Sequence, residues 1–181
     1  MKSLKKFFKA ALITLLALII LWGAAAFSLY KIFYPEKYTD IINKNLTEEI
    51  NDIYFVLAVI KAESGFDEKA VSEKNAKGLM QITCATAEYV AGILGRTEYD
   101  IFSPEDNIEF GIFYLNYLYK KFGNTKTALC AYNAGEGNVK EWLENENFSV
   151  DGVTLYRIPF SETGKYVDKI LKYYGNYKIL Y

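Results

Sequence analysis

Histidine is absent from the 181-residue sequence, and cysteine occurs only twice. Without histidine the chain cannot use a Ser-His-Asp or Cys-His catalytic group, and it cannot bind zinc through imidazole. Two cysteines are also too few for a four-cysteine metal site. These absences leave carboxylates, hydroxyls, amides and lysines as the groups that can carry chemistry.

Long uncharged runs are scarce as well, because only Ala10–Tyr30 extends to 21 residues. A polytopic membrane protein is therefore excluded. Apolar residues make up 51% of the sequence and charged residues 24%, which excludes a disordered or low-complexity chain.

The net charge of −1 hides an asymmetry along the chain. Residues 1–31 contain five lysines and no acid, so residues 32–181 carry 16 basic and 22 acidic residues, a net charge of −6. Proteins that bind nucleic acid present basic surfaces to it. We therefore expect no nucleic-acid partner for this mildly acidic body.

The uncharged run has the length of a membrane-spanning helix. At about 1.5 Å per residue, a helix of this length crosses a bilayer core of roughly 30 Å. Four lysines precede the run, which predicts a cytoplasmic N-terminus and a body on the extracytoplasmic side. Residues 24–26 are alanines and offer a signal-peptide cleavage site, which would give a secreted protein. We expect an uncleaved, single-pass anchor in the cell membrane, because apolar residues continue to Tyr30.

The remainder of the chain has helical periodicity and weak strand signals, which predicts a mainly α fold. We divide the chain into a cytoplasmic stub with the anchor at 1–34, a linker at 35–46 and one domain at 47–181. The first expected helix of this domain begins after Asn45 or Thr47 and ends before Gly65. Further helices are expected over 83–94, 104–122, 124–133, 139–144 and 161–174. Residues 146–160 lack helical periodicity and are expected to form a long excursion.

Helix ends are indicated by capping residues. Ser103 is predicted as an N-cap because Pro104 and two acids follow it, and Gly123 is predicted to end that helix. Asn124 and Ser161 are predicted as the caps of later helices.

Glu63 occupies a position suited to a catalytic carboxyl group. It lies three residues after Ile60, at the C-terminal end of a helix with an apolar face. The negative end of the helix dipole and partial burial both disfavour an ionised carboxylate. A glutamate that stays partly protonated near neutral pH can act as a general acid.

Two segments combine small residues with amides. Gly-Leu-Met-Gln at 78–81 predicts a tight turn that leads into a helix, and Ala-Tyr-Asn-Ala-Gly at 131–135 ends another helix. Small residues let a ligand approach the backbone, and the amides of Gln81 and Asn133 suit sugar hydroxyls and N-acetyl groups. Taken alone, Tyr132 also fits a core position and Asn133 a helix cap.

Four motifs occur in order: Glu63-Ser64 at a helix end, Gly-Leu-Met-Gln-Ile at 78–82, Ala-Tyr-Asn-Ala-Gly at 131–135, and Ile-Pro-Phe-Ser-Glu-Thr-Gly-Lys-Tyr-Val at 158–167. With these motifs the chain resembles the SLT-type lytic transglycosylase family, which has a goose-type-lysozyme-like fold. The resemblance covers about residues 47–175. It implies a lysozyme-like helical domain that follows the N-terminal helix.

The resemblance also implies an activity. Members of this family cleave the β-1,4 bond between N-acetylmuramic acid and N-acetylglucosamine in peptidoglycan glycan strands, without a metal. By this analogy Glu63 is the single catalytic acid/base, which protonates the glycosidic oxygen and then takes a proton from the muramoyl C6 hydroxyl. That hydroxyl attacks C1 and closes a 1,6-anhydro ring, so no cofactor is expected.

Further site residues follow from the resemblance position by position. Tyr166 corresponds to a tyrosine near the catalytic carboxyl group. The expected substrate-binding residues are Ser72, Gln81, Tyr132, Asn133, Glu162 and Tyr166. Glu162 fits equally well as an acid in the first turn of a helix.

The sequence departs from the family pattern at a few positions. Thr83-Cys84 stands where the family often has Met-Pro, and Cys130 stands where a small residue is usual. Outside the cytoplasm two cysteines in one domain can form a disulfide. A Cys84–Cys130 bridge and two free thiols both remain open.

Two alternative functions remain. A goose-type-like muramidase would hydrolyse the same bond and would need a second carboxylate to activate water. Asp67, Glu68 and Glu73 are close to Glu63 in sequence, but no pattern places any of them across a groove. The other alternative is a non-catalytic peptidoglycan-binding module, held at the membrane by the N-terminal helix.

Overall fold

The structure, a computed structural model, describes residues 2–181, with side chains from residue 6 onward. Its regular structure is helical, and strand pairing within these residues is limited to isolated bridges. The helices are α1 (Lys2–Phe33), α2 (Thr39–Asn45), α3 (Ile53–Glu63), α4 (Cys84–Leu94), α5 (Pro104–Phe122), α6 (Thr125–Ala134), α7 (Glu136–Leu143) and α8 (Ser161–Leu180). The predicted mainly α fold class is confirmed.

Contacts divide the chain into an N-terminal unit, which ends at Pro35, and a helical body, which runs from Glu36 to Ile179. Across the described part of the chain, α1 is the single helix long and apolar enough to cross a membrane, over Lys6–Phe33. Its large apolar side chains, such as Leu12 and Ile19, are exposed. A helix that is apolar all round and exposed suits a bilayer better than water.

The body is built around α3, whose residues Val56–Ile60 are fully buried. Such burial on every side explains why the helix is apolar all round instead of amphipathic. The C-terminal end of α3 therefore emerges from the middle of the core, and Glu63 is its last residue.

Side-chain caps mark the starts of three helices, and two of these caps, Ser103 and Asn124, are the predicted ones. Ser103 accepts a hydrogen bond from the backbone N–H of Asp106, with Pro104 at the first helical position and Gly123 in the left-handed conformation at the end. Asn124 caps α6 by accepting from the N–H of Thr127. Thr83 caps α4 through the N–H of Thr86. In each case a side-chain oxygen satisfies an N–H group that the first turn leaves unpaired.

The start of α3 differs from the prediction. Its N-cap is Asp52, whose carboxylate accepts from the N–H of Tyr54 at 2.9 Å, not Asn45 or Thr47. The Thr47 hydroxyl instead accepts from the N–H of Ile50 and donates to Asn116 of α5. These bonds hold residues around 47–50 in a non-helical turn, so the prediction that the helix begins there is wrong.

The segment 35–46, expected as a linker, contains α2. Ile42 on this helix is fully buried, and α2 packs against α5 and α3. One buried side chain in seven residues is too little periodicity to read from the sequence. The domain limits at 34 and 46 stay a prediction.

Two later helices are longer than predicted. α7 begins at Glu136, and α8 continues through Gly175 to Leu180. Tyr177 is fully buried and stacks with Tyr54 and Tyr181, which offsets the low helix propensity of Gly175. The predicted Ser161 cap is wrong, because Ser161 is the first helical residue and Phe160 takes the N-cap position without a side-chain bond. Residues 146–160 contain no helix, as expected.

Both cysteines are free thiols, so the disulfide that the sequence left open is not formed. Cys84 is exposed at the start of α4, whereas Cys130 is fully buried in α6. Burial raises the pKa of the Cys130 thiol to about 11, which suppresses the reactive thiolate.

We expect a thiol reagent at pH 8, applied without reductant, to modify one thiol quickly in the folded chain and a second only after denaturation. The fast thiol is Cys84, so a Cys84→Ser variant should show no fast phase. Ellman's assay measures both. Absence of any free thiol after denaturation would show that the two cysteines pair after all.

Candidate active site

A cleft of about 400 Å³ opens at the C-terminal end of α3, and Glu63 lies in its lining. Its walls come from the segment between α3 and α4, from the end of α6 and from the start of α8. The lining residues are Glu63, Ser72, Glu73, Lys74, Ala76, Gln81, Thr83, Tyr132, Asn133 and Glu162. The structure thus brings six of the seven predicted site residues to one cleft, and the seventh, Tyr166, contacts Glu63 behind it.

Glu63 is partly buried where it lines the cleft. Burial has the strongest influence on its carboxyl group and raises the pKa to about 7. The hydroxyl of Tyr166 donates to Glu63 Oε1 at 2.6 Å, and this bond lowers the pKa, as does the charge of Lys169. At neutral pH the protonated and ionised forms therefore coexist, which a group that both gives and takes a proton requires.

The turn at 78–82 forms one wall through a strained backbone. Gly78 has a φ of 74° and Gln81 a φ of 51°, a left-handed conformation that is costly for a residue with a side chain. The amide Nε2 of Gln81 donates to the carbonyls of Gly78 at 2.9 Å and Ala70 at 3.2 Å. These bonds fix the orientation of the amide group.

A buried asparagine holds this turn in place. Asn107 of α5 is 1% exposed and accepts from the N–H of Met80 at 2.7 Å. Its amide nitrogen donates to the carbonyls of Lys77 at 2.9 Å and Ile101 at 2.7 Å. A Cβ at Gly78 would lie 2.4 Å from that nitrogen, so only glycine fits there.

No motif in the sequence predicts a role for Asn107. The available signal was a polar residue on the face of α5 that otherwise carries Ile108, Gly111 and Leu115 toward the core. Glu73, Lys74, Ala76 and Thr83 were likewise not singled out as lining residues.

The Ala-Tyr-Asn segment closes the cleft from the side of α6. The hydroxyl of Tyr132 donates to the carbonyl of Met80 at 2.9 Å, which joins α6 to the turn. Asn133 Oδ1 accepts from the hydroxyl of Thr163 at 2.7 Å, which joins α6 to α8. Both side chains therefore have structural partners and still line the cleft.

The rim of the cleft carries exposed charges. Glu162 of α8 and Lys74 of the α3–α4 segment lie 3.9 Å apart as a loose ion pair, with both side chains about three-quarters exposed. Glu73 also lines the cleft and is exposed. Glu68, by contrast, accepts from the Tyr38 hydroxyl at 2.7 Å, and neither Glu68 nor Asp67 is among the residues that line the cleft.

The model of the family described as "Transglycosylase SLT domain" matches residues 40–151, more than half of the chain. The chain belongs to this family. The match begins within α2 and ends before α8, so Glu162 and Tyr166 lie outside it. The resemblance drawn from the four motifs is confirmed.

Named relatives agree with this membership. The soluble lytic murein transglycosylase of Salmonella typhimurium is 35% identical over 151 residues, which cover 80% of this chain and 23% of that protein. The membrane-bound lytic murein transglycosylase F of Desulfosudis oleivorans is 29% identical, over 76% of this chain and 36% of that protein. The chain thus spans about a quarter of the length of the soluble relative.

Solved structures share the fold. The 70 kDa soluble lytic transglycosylase of Escherichia coli superposes with a TM-score of 0.71 at 30% identity, over 83% of this chain and 25% of that one. A 70 kDa soluble lytic transglycosylase in complex with bulgecin A gives a TM-score of 0.72. The predicted lysozyme-like helical fold is therefore confirmed.

Replacing Asn107 by alanine should lower the free energy of unfolding by about 2–4 kcal/mol, because three buried backbone groups lose their partner. Urea denaturation followed by circular dichroism measures this change. Asn138→Ala is the matched control, since Asn138 is exposed on α7 and its side chain donates to the carbonyl of Ala134 at the end of α6. A loss for Asn107→Ala no larger than that of the control would contradict the anchoring role.

Proposed function

We propose that this chain is a peptidoglycan lytic transglycosylase that cleaves the bond between N-acetylmuramic acid and N-acetylglucosamine without water. The observation that carries the proposal is Glu63, a desolvated carboxyl group with a pKa of about 7 in a cleft of the SLT fold. The names of its relatives, which include soluble and membrane-bound lytic murein transglycosylases, support the substrate class.

In the first step, protonated Glu63 donates its proton to the glycosidic oxygen. The bond from that oxygen to C1 of the muramoyl residue breaks, and positive charge develops at the ring. Glu63 is left as a carboxylate, which the hydroxyl of Tyr166 stabilises through its 2.6 Å hydrogen bond. Burial favours the neutral acid that starts this step, because a charged form in the cleft is poorly solvated.

In the second step, the Glu63 carboxylate takes the proton of the muramoyl C6 hydroxyl. The C6 oxygen attacks C1, so a 1,6-anhydro ring closes and Glu63 regains its proton. One carboxyl group thus serves both steps, and each step restores the form that the other step needs.

The remaining predicted residues are proposed to hold the saccharide. Gln81 and Asn133 supply amide groups, Ser72 a hydroxyl, Tyr132 an aromatic ring and Glu162 a rim carboxylate. Tyr166 is proposed to act on Glu63 and not on the sugar, because its hydroxyl already donates to Glu63.

A hydrolase remains the second candidate because Glu73 and Glu162 line the same cleft as Glu63. Either carboxylate would have to activate a water on the far side of the sugar ring. Both side chains are exposed on the rim, so water solvates them far more than it solvates Glu63.

Mass spectrometry of muropeptides released from purified peptidoglycan by the full chain in detergent tests the proposal. We expect non-reducible products lighter by one water than hydrolytic ones. Glu63→Gln should reduce their release by at least about 100-fold, because it removes the proton donor. Glu73→Gln is the matched control and should leave the release of anhydro products unchanged, whereas Glu162→Gln should raise KM without changing the product.

Other results would exclude the proposal. Reducible ends that disappear in Glu73→Gln or Glu162→Gln would establish a hydrolase with a second carboxylate. No release by folded protein that still binds peptidoglycan would indicate a binding module. Full activity of Glu63→Gln would remove Glu63 from the mechanism.

We also propose that α1 anchors the chain in the cell membrane, with the body on the extracytoplasmic side where peptidoglycan lies. The support is its exposed apolar surface and the lysines that precede it. Membrane-bound relatives are consistent with this location, and the soluble relatives show that the family does not require it.

Membrane extraction tests the anchor. The full chain should stay in the membrane pellet after washing with alkaline carbonate and should be released by detergent, because about 20 apolar residues are buried in lipid. Replacing Leu16 and Leu18 in the middle of α1 by aspartate should move the chain to the soluble fraction. Recovery of a shortened, soluble chain from cells that produce the unaltered protein would instead show that the N-terminal segment is a cleaved signal peptide.

A further inference from the structure

We propose that Lys169 of α8 is a positioning residue for the catalytic glutamate: its ammonium group fastens the last turn of α3 and sets a positive charge beside Glu63 from outside the cleft. This inference rests on the proposed function only in taking Glu63 as the acid/base. No residue pattern in the sequence pointed to Lys169.

The contact that carries the inference is short and specific. Lys169 Nζ donates to the backbone carbonyl of Ala62 at 2.6 Å, and Ala62 immediately precedes Glu63. At the end of α3 the cap N–H groups reach the carbonyls of Ile60 and Lys61. The carbonyl of Ala62 belongs to the last turn, which lacks intrahelical donors, and Ala62 is only 8% exposed. The ammonium group therefore satisfies a carbonyl that water reaches poorly.

Lys169 acts from the same face of α8 as Tyr166. The two residues are three positions apart, so their side chains project side by side from the helix. Tyr166 donates to the Glu63 carboxylate and Lys169 to the adjacent Ala62 carbonyl, both at 2.6 Å. Together they hold the backbone and the side chain of the catalytic position from one rigid element.

An aromatic ring fixes the ammonium group in this position. Lys169 Nζ lies 5.9 Å from the centre of the Tyr173 ring, one turn further along α8. Lys61 Nζ lies 5.1 Å from the centre of the same ring, and burial together with the charge of Lys169 lowers the pKa of Lys61. Lys169 remains in place beside this second cation because the carbonyl and the ring both attract it.

The charge acts on Glu63 in a defined direction. Tyr166 and Lys169 face Glu63 from α8, and Tyr132 faces it from α6, while Glu73, Lys74 and Glu162 stand on the rim of the cleft. Lys169 lowers the pKa of Glu63 and so opposes the effect of burial. Without Lys169 the pKa of Glu63 should rise above its value of about 7.

The direction in which activity changes with pH follows from the first step of the proposed reaction. Protonated Glu63 is required, so kcat/KM of the unaltered chain should fall as the pH rises through about 7. In Lys169→Met this fall should move to higher pH. We also expect kcat at neutral pH to drop about tenfold with KM within about twofold, because the acid/base is misplaced while the sugar contacts remain.

Three substitutions separate position from charge. Lys169→Arg keeps the charge and the donor and should restore the profile of the unaltered chain. Lys169→Gln keeps a donor without a charge, so it should shift the pH profile with a smaller loss of kcat than Lys169→Met. Lys172→Met is the matched control, since Lys172 is an exposed lysine on the same helix.

The titration of Glu63 is measured directly by carbon NMR of the labelled carboxyl group in the full chain, beside the pH profile of muropeptide release. An upward shift in Lys169→Met and Lys169→Gln, absent in Lys169→Arg and Lys172→Met, is the expected result. Equal titration curves in all four variants would overturn the inference. A shifted titration combined with an active Glu63→Gln variant would instead refute the proposed function and leave the effect of Lys169 on Glu63 established.

Discussion

The hydrogen bond between Tyr166 of α8 and Glu63 of α3 joins residues that are 103 positions apart, and the cleft depends on it. α3 is buried on all sides, so its C-terminal end is where the core can present a carboxyl group to a ligand. α8 must then cover that end to keep water away and to hold the carboxyl group. Burial alone would keep Glu63 protonated over a wide pH range. The Tyr166 hydroxyl and the Lys169 charge both stabilise the carboxylate, so the pKa of Glu63 stays near neutrality.

Another wall of the cleft is the strained turn at 78–82, which is held against the core. Gly78 and Gln81 both adopt left-handed backbone conformations. Asn107 holds that turn from a fully buried position through bonds to Met80 and the preceding Lys77, and a third bond joins it to Ile101. A turn held in this way needs less free energy to become ordered when a ligand binds.

Features that depend on local interactions were predictable from the sequence, and features that depend on contacts between helices were not. Helices whose ends carry a side-chain cap and a following glycine, such as α5 with Ser103 and Gly123, were predictable because those signals act over four or five residues. The start of α3 was not, because Thr47 bonds to Asn116 on another helix. The same reason explains α2, whose single fully buried side chain, Ile42, is stabilised by contacts with α5 that no local pattern records.

The sequence by itself determined the helical class, the apolar N-terminal helix, the family and the motifs that meet in the cleft, because each depends on composition, periodicity or short spacing. Only the tertiary structure decided which groups surround Glu63. Tyr166 was expected near it by resemblance, but Lys169 and Asn107 act through backbone carbonyls and N–H groups, which no residue pattern encodes. It also decided that Cys84 and Cys130 stay apart as free thiols. Long-range contacts of this kind arise when helices pack, and only then do the solvation and charge at a carboxyl group acquire definite values.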